Sequence, residues 1–266
     1  MDYKISDIAN IFHISKEMIR YYEKQGAISS VRKMDNNYRM YSIWDVFNFL
    51  DFLQYKEMGI TAKELVKIKE NQFSQNMRKH LDILKENLDN EIQYKYVLRS
   101  RIEELLERIE CCEYNEQNYW VKRIPGKYMF HFLTSQDDDY GEIDMPPEIR
   151  KKIFSDHVMP ILDPCIEFRE KNEWWYSISE KYAEILDEEC LKNARYSPPE
   201  VCLCSVVNMG EIGEFTSECL QSAREYIETK KYEQSGTVTG VLIGRGMENS
   251  NYIRRMEIQI PIKIKQ

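Results

Sequence analysis

The hydrophobic positions of the first seventy residues form four short helical patterns separated by turn-forming polar residues. Ile5, Ile8, Ala9, Ile11 and Phe12 recur at helical spacing, and the pattern breaks at His13-Ile14. Ser15 stands at an N-cap position before Met18, Ile19 and Tyr22, which predict a second helix. Ser29 to Tyr41 is polar, closes on Tyr38-Arg39-Met40-Tyr41, and reads as a small β-wing. Ser42 caps a third helix through Trp44, Val46, Phe47, Leu50 and Leu53, which stops at Gly59. Thr61 with Glu64 three residues on makes a capping box for a fourth, through Leu65 and Ile68.

From Ser74 to Cys112 the chain contains neither glycine nor proline. Met77, Leu81, Leu84 and Leu88 are spaced four, three and four, and Leu98, Ile102, Leu105, Ile109 and Cys112 resume the alternation. So narrow a seam predicts a coiled coil and with it a homodimer. Beyond Asn115, four stretches rich in β-branched and aromatic residues predict strands: Trp120 to Phe132, Val201 to Met209, Thr237 to Gly244 and Tyr252 to Ile264. Ser217 to Tyr232 predicts a helix through Leu220, Ala223, Tyr226 and Ile227. The expected class is therefore α plus α/β. A winged helix-turn-helix over 1–72 precedes a dimerisation helix over 73–114 and an α+β domain over 115–266.

Two short helices joined by a tight turn present the second helix to the major groove of DNA. The formal net charge of −8 argues against such a partner, but its distribution does not. Between Lys16 and Arg39 the basic residues Lys16, Arg20, Lys24, Arg32, Lys33 and Arg39 outnumber Glu17, Glu23 and Asp35, while acidic residues cluster in 137–139 and 187–189. Screening confines such interactions to about 10 Å, so a basic head on an acidic body can still hold phosphates. No apolar run approaches a membrane span and no signal-peptide layout begins the chain, so a cytoplasmic location without membrane association is expected. Seven cysteines without a regular framework suit reduced thiols.

Residues 3–70 resemble the DNA-binding head of the mercury-resistance-regulator (MerR) family. The resemblance rests on Ser15, Arg20-Tyr21-Tyr22-Glu23, Gly26, Arg32, Tyr38-Arg39-Met40-Tyr41 and Met58-Gly59-Ile60, in that order. His13 replaces the usual small turn residue and Ser30 the usual wing proline. The helix that follows resembles the family's antiparallel dimerisation helix. The C-terminal 150 residues are similar to the gyrase-inhibitor-like (GyrI-like) effector domain of the multidrug-sensing branch, a duplicated strand-helix-strand unit with a pocket between its halves. In that branch a buried glutamate near the start of the penultimate strand pairs with cationic drugs; here Thr239-Gly240-Val241 occupies the region without a carboxylate.

The resemblance implies a ligand-responsive transcription regulator, an activator that grips double-stranded promoter DNA as a homodimer. A hydrophobic or aromatic effector then shifts the heads, which distort the DNA for RNA polymerase. The expected DNA contacts are Ser15, Lys16, Arg20, Tyr21, Tyr22, Arg32, Tyr38, Arg39 and Lys56. Arg20 has Glu23 as an alternative partner, and neighbouring Tyr21 and Tyr22 cannot share one helix face. For the effector, the aromatic supply of the second domain points to Trp120, Tyr128, Phe130, Trp174, Trp175, Tyr176 and Tyr252, with Glu142, Asp144, Glu173 and Glu257 as counter-charges.

Two other classes are open. Cys111-Cys112 invites a metal- or redox-responsive reading, yet no cysteine follows at ligand spacing, and Cys202 and Cys204 share one strand face. Some GyrI-like relatives are hydrolases, but neither His131 nor His157 has an identifiable nucleophile partner. No enzyme activity, metal or cofactor is expected.

Overall fold

The computed structural model describes residues 2–32, 38–70, 72–115, 118–135, 142–210 and 217–265. Lys33, Asp35, Asn36 and Asn37 of the wing and the acidic run 137–139 lie outside them. The chain forms two compact units, Met1–Gln93 and Tyr94–Gln266.

In the first unit, β1 (Tyr3–Lys4) leads into α1 (Ile5–Phe12), and α2 (Lys16–Lys24) follows a two-residue turn after His13. His13 closes α1 in the left-handed region, φ 51°, a conformation that histidine tolerates better than bulkier residues. The strands β2 (Val31–Arg32) and β3 (Arg39–Tyr41) form the wing, with β3 central between β1 and β2. Next come α3 (Ile43–Lys56) and α4 (Ala62–Glu70). Both begin on reciprocal caps, Ser42 with Asp45 and Thr61 with Glu64. The core joins Ile8, Ile19, Tyr22, Tyr41, Phe49, Phe52, Ile60 and Leu65, so it draws on helices and wing alike.

The helix α5 (Phe73–Asn115) runs 43 residues, about 65 Å at 1.5 Å per residue. The boundary between the units falls within it. The seam predicted from sequence divides in two. Met77 and Leu84 pack into the head's core, and Leu98, Leu105 and Cys112 are partly or fully buried. Exposed instead are Leu81, Leu88, Ile92, Ile102, Leu106 and Ile109. With Lys85, Lys95 and Arg99 between them, these positions alternate four and three apart along one unpartnered stripe.

The second unit is built on β4 (Trp120–Ile124), β5 (Lys127–Ser135), β6 (Asp163–Glu167), β7 (Asn172–Ser179), β8 (Arg195–Ser197), β9 (Glu200–Asn208), β10 (Tyr232–Gln234), β11 (Thr239–Glu248) and β12 (Asn251–Ile264). Their order is β4-β9-β12-β11-β6-β7-β5-β8, with β10 on β12. The expected strand at Trp120 to Phe132 is broken at Pro125-Gly126 into β4, at one edge of this order, and β5, next to last at the other side. The strands β6, β7, β8 and β10 lie outside the stretches that the sequence predicts as strands. The helices α6 (Pro147–Ile153), α7 (Glu188–Asn193) and α8 (Gln221–Thr229) complete the unit. One sheet face is apolar: Phe130, Phe132 and Ile178 pack with Ile149 and Ile153, while Ile166, Met256, Ile258 and Ile260 pack with Ala223 and Ile227.

The other face alternates with it and carries Asp163, Cys165, Glu167, Trp175, Ser177, Cys202, Cys204, Glu257 and Gln259, all buried. This face is concave. The Lys127 Nζ in β5 lies 3.4 Å from the Gln259 Oε1 in β12, four strands away. On a flat sheet four strand spacings are about 19 Å, far beyond a lysine's reach.

Candidate DNA-binding surface and effector site

The head's outer face follows from helix geometry. Lys16, Arg20 and Lys24 lie four residues apart on α2, and all three are exposed, as is Tyr21 at 54%. Arg20 reaches Glu17 at only 3.8 Å; Glu23 instead pairs with Arg39 of the wing at 3.0 Å and accepts the Ser30 hydroxyl. Glu23 therefore ties the recognition helix to the wing and leaves Arg20 for an outside partner. Ser30, in place of the wing's usual proline, supplies part of that tie. Arg32, Tyr38 and Lys56 are exposed on the same unit, and Arg39 is half-buried.

One expected contact needs correction, and Ser15 takes the capping role its position predicts. Tyr22 is 7% exposed and packs between Phe49 and Phe52, so its ring belongs to the core. Its hydroxyl accepts a hydrogen bond from Lys56 Nζ at 3.0 Å and so holds that ammonium at the surface. Ser15 accepts from the Met18 backbone N–H at 3.1 Å, so its oxygen serves as the N-cap of α2. Ser15→Ala is expected to cost about 1 kcal/mol in a urea denaturation series, the usual worth of such a cap.

The aromatic residues expected to wall a pocket are divided between both sheet faces. Phe130 is fully buried in the apolar core, and Trp174 and Tyr176 pack against that side, Tyr176 on Phe132 and Phe154. Trp175 points the other way, packed with Met129, Cys165 and Val241. Trp120 sits by Cys202 and Cys204, Tyr128 rests on Tyr196, and Tyr252 lies in the β11–β12 hairpin opposite Met247. Successive residues of a strand alternate in direction, so Trp174-Trp175-Tyr176 cannot line one cavity.

A cavity of about 190 Å³ opens instead at one end of the concave face. Its lining includes Lys127, Glu167, Arg169, Arg195, Gln259 and Thr239, and none of the seven expected aromatics. Trp175 abuts it indirectly, with the Arg195 guanidinium 4.2 Å from its ring centroid. Glu167, 4% exposed, is held by Arg195 and by Arg169 at 3.2 Å. Glu257, also 4% exposed, takes Lys122 at 2.7 Å and the Gln259 amide at 2.7 Å. These two carboxylates stand opposite Thr239 and Val241 in the sheet register. The carboxylate missing from the 239–241 segment is thus present on the neighbouring strands. None of the four expected counter-charges, Glu142, Asp144, Glu173 and Glu257, lines the cavity; Glu257 reaches it only through Gln259.

At the other end of this face, α5 closes over the sheet. Arg101 and Arg108 both donate to Asp163, at 2.5 and 2.6 Å, and Arg108 adds a second bond at 2.9 Å. Burial pushes the Asp163 carboxyl up, but the bonds and charges of Arg108 and Arg101 outweigh it and hold the group below the ordinary range. For nearby thiols burial outweighs the opposing charge of Lys127: Cys165 is pushed up to about 11 and Cys202 to about 12, so they stay protonated at neutral pH. Among the described residues no cluster of three or more His, Cys, Asp or Glu side chains is arranged to hold a metal.

A winged helix-turn-helix head of this build defines a DNA-reading module. Residues 4–41 match the family described as MerR family regulatory protein, and the chain carries a MerR-family N-terminal domain. The mercuric resistance operon regulatory protein of Bacillus cereus is 34% identical over 68 residues, 26% of this chain and 52% of that protein. The chain thus spans about half the length of the curated relative it matches. Among solved structures, an EcmrR–DNA complex in EcmrR-RPo, determined by cryo-electron microscopy, is 17% identical, with 98% of this chain and 100% of that one covered at a TM-score of 0.36. The crystal structure of the EcmrR C-terminal domain is 13% identical and covers 55% of this chain and 98% of that one, at a TM-score of 0.38. No helix among the described residues is long and apolar enough to cross a membrane.

Proposed function

We propose that this chain is a ligand-responsive transcription regulator that binds promoter DNA as a homodimer through its MerR-family heads. The exposed face of α2, with Lys16, Arg20, Tyr21 and Lys24 clear of the core, is the observation that carries this reading. Arg39, Arg32, Tyr38 and Lys56 flank it and hold phosphates, while Tyr22 and Ser15 support it from beneath. Most such contacts position the protein, leaving sequence choice to a few base contacts and to DNA shape.

The second copy meets the exposed apolar stripe of α5, where Leu88 is 52% and Ile102 58% exposed. The C-terminal unit is the effector domain, of the GyrI-like kind, and its site is the cavity on the concave face. A bound effector shifts the heads only by favouring the DNA-distorting conformation over the resting one. In the activating mode of this family, that distortion presents the promoter to RNA polymerase.

A DNA site is selected from a random-sequence pool and its binding followed by fluorescence anisotropy across a salt series. Arg20→Ala is expected to weaken binding, and loss of one phosphate contact reduces the salt slope by about 1. Unchanged affinity and slope would remove Arg20 from the interface. Failure of the unmodified protein to select any site would overturn the regulator reading.

A further inference from the structure

The cavity on the concave face is charged and polar, and its chemistry points away from a lipophilic ligand. Five charged side chains line it: Lys127, Arg169 and Arg195 against Glu167 and Glu200. Glu167 is already shared by two guanidiniums, so it cannot receive a cationic ligand without displacing one of them. Lys127 is the reverse case. Its only polar contact among the described residues is the long bond to Gln259, and no carboxylate lies within ion-pair distance.

Around this ammonium stand neutral hydrogen-bonding groups, Ser197, Thr237 and Thr239, while Pro125 and Pro261 supply apolar surface. A volume of about 190 Å³ is below the range of about 300–1,000 Å³ typical of drug-sized sites. We propose that the effector is a small organic anion whose carboxylate pairs with Lys127 and whose carbon frame lies against the prolines. This proposal rests on the C-terminal unit being the effector domain, as argued above.

The half-buried position of Lys127 and its single long bond make it replaceable without loss of fold. The full chain is titrated by calorimetry with three probes of one shape, benzoate, benzamide and benzylammonium, and by tryptophan fluorescence, since Trp175 lies under Arg195. Benzoate is expected to bind about tenfold or more tightly than benzamide, the scale of one charge-assisted hydrogen bond, with benzylammonium weakest. Lys127→Gln should erase that preference and Lys127→Arg retain it, with circular dichroism unchanged in both. Equal binding of benzoate and benzamide, tighter binding of benzylammonium, a preference surviving in Lys127→Gln, or no saturable binding of any probe would each overturn the anion assignment. Promoter binding measured on the same preparations separates the two readings. Intact DNA binding with a failed preference removes only the anion, whereas absent DNA binding removes the regulator.

Discussion

Asp163→Ala is expected to destabilise the C-terminal unit by about 3–5 kcal/mol, the usual cost of removing one partner from a buried ion pair. Arg101 is 5% and Asp163 8% exposed, so the variant leaves a buried guanidinium with only the 3.3 Å contact to Glu104 as counter-charge. Arg108→Gln leaves Asp163 paired with Arg101 and removes the more exposed guanidinium, so it should cost less. The loss is a large share of the 5–15 kcal/mol that holds an ordinary domain together. Urea denaturation of the full chain, followed by tryptophan fluorescence, measures it directly. A midpoint shift worth under about 1 kcal/mol would mean that the pair only offsets its own desolvation.

The same pair carries a pH signature. The Asp163 carboxyl is depressed in the folded chain, so its contribution is present in full above the ordinary carboxyl value of about 3.9. It is lost as the pH falls through the depressed folded value. The unmodified protein should therefore lose stability on acidification below about pH 4 more steeply than Asp163→Ala, which has no such group to protonate. Parallel acid limbs would show that other carboxylates dominate. Asp163 and Glu167 lie four residues apart on β6 and on the same face, one under α5 and the other in the cavity.

The second large effect is expected from Ile102→Glu combined with Ile109→Glu. Both residues are at least half exposed and turned away from the sheet, so the effector unit should keep its fold. Four glutamates in the paired stripe would break a dimer that depends on apolar contact. Sedimentation equilibrium should find a monomer. Promoter affinity should then fall by about 100-fold or more, because the second head no longer binds as part of the same molecule. A variant that remains dimeric would move the dimer interface off this stripe.

The local features of the head were legible in the sequence. The Ser15 and Ser42 caps and the Thr61–Glu64 box act over three residues and appear where their spacing placed them, and the structure adds Asp45 as the reciprocal partner of Ser42. Tyr21 and Tyr22 had to diverge because adjacent helical residues leave the axis in different directions. Which of them went inward was decided by Phe49 and Phe52, about thirty residues on. The long helix was equally plain, but its two apolar faces were not. Leu98 and Leu105 read like Ile102 and Ile109 until the sheet takes up one side of α5 and leaves the other bare.

The polar cavity was hidden for a related reason. Glu257 and Gln259 alternate with Ile258 and Ile260, a pattern that ordinarily places the polar residues in water. Coiling of the sheet turns that face inward, and ion pairs such as Lys122 with Glu257, 135 positions apart, satisfy the charges that burial would otherwise strand. The sequence by itself determined the caps, the helix-turn-helix, the length of α5 and the alternation of the strands, because these depend on groups within a few residues of each other. Strand order, the concave face, the clamp on Asp163 and the composition of the cavity were decided only by the tertiary structure, since each depends on which distant strands become neighbours.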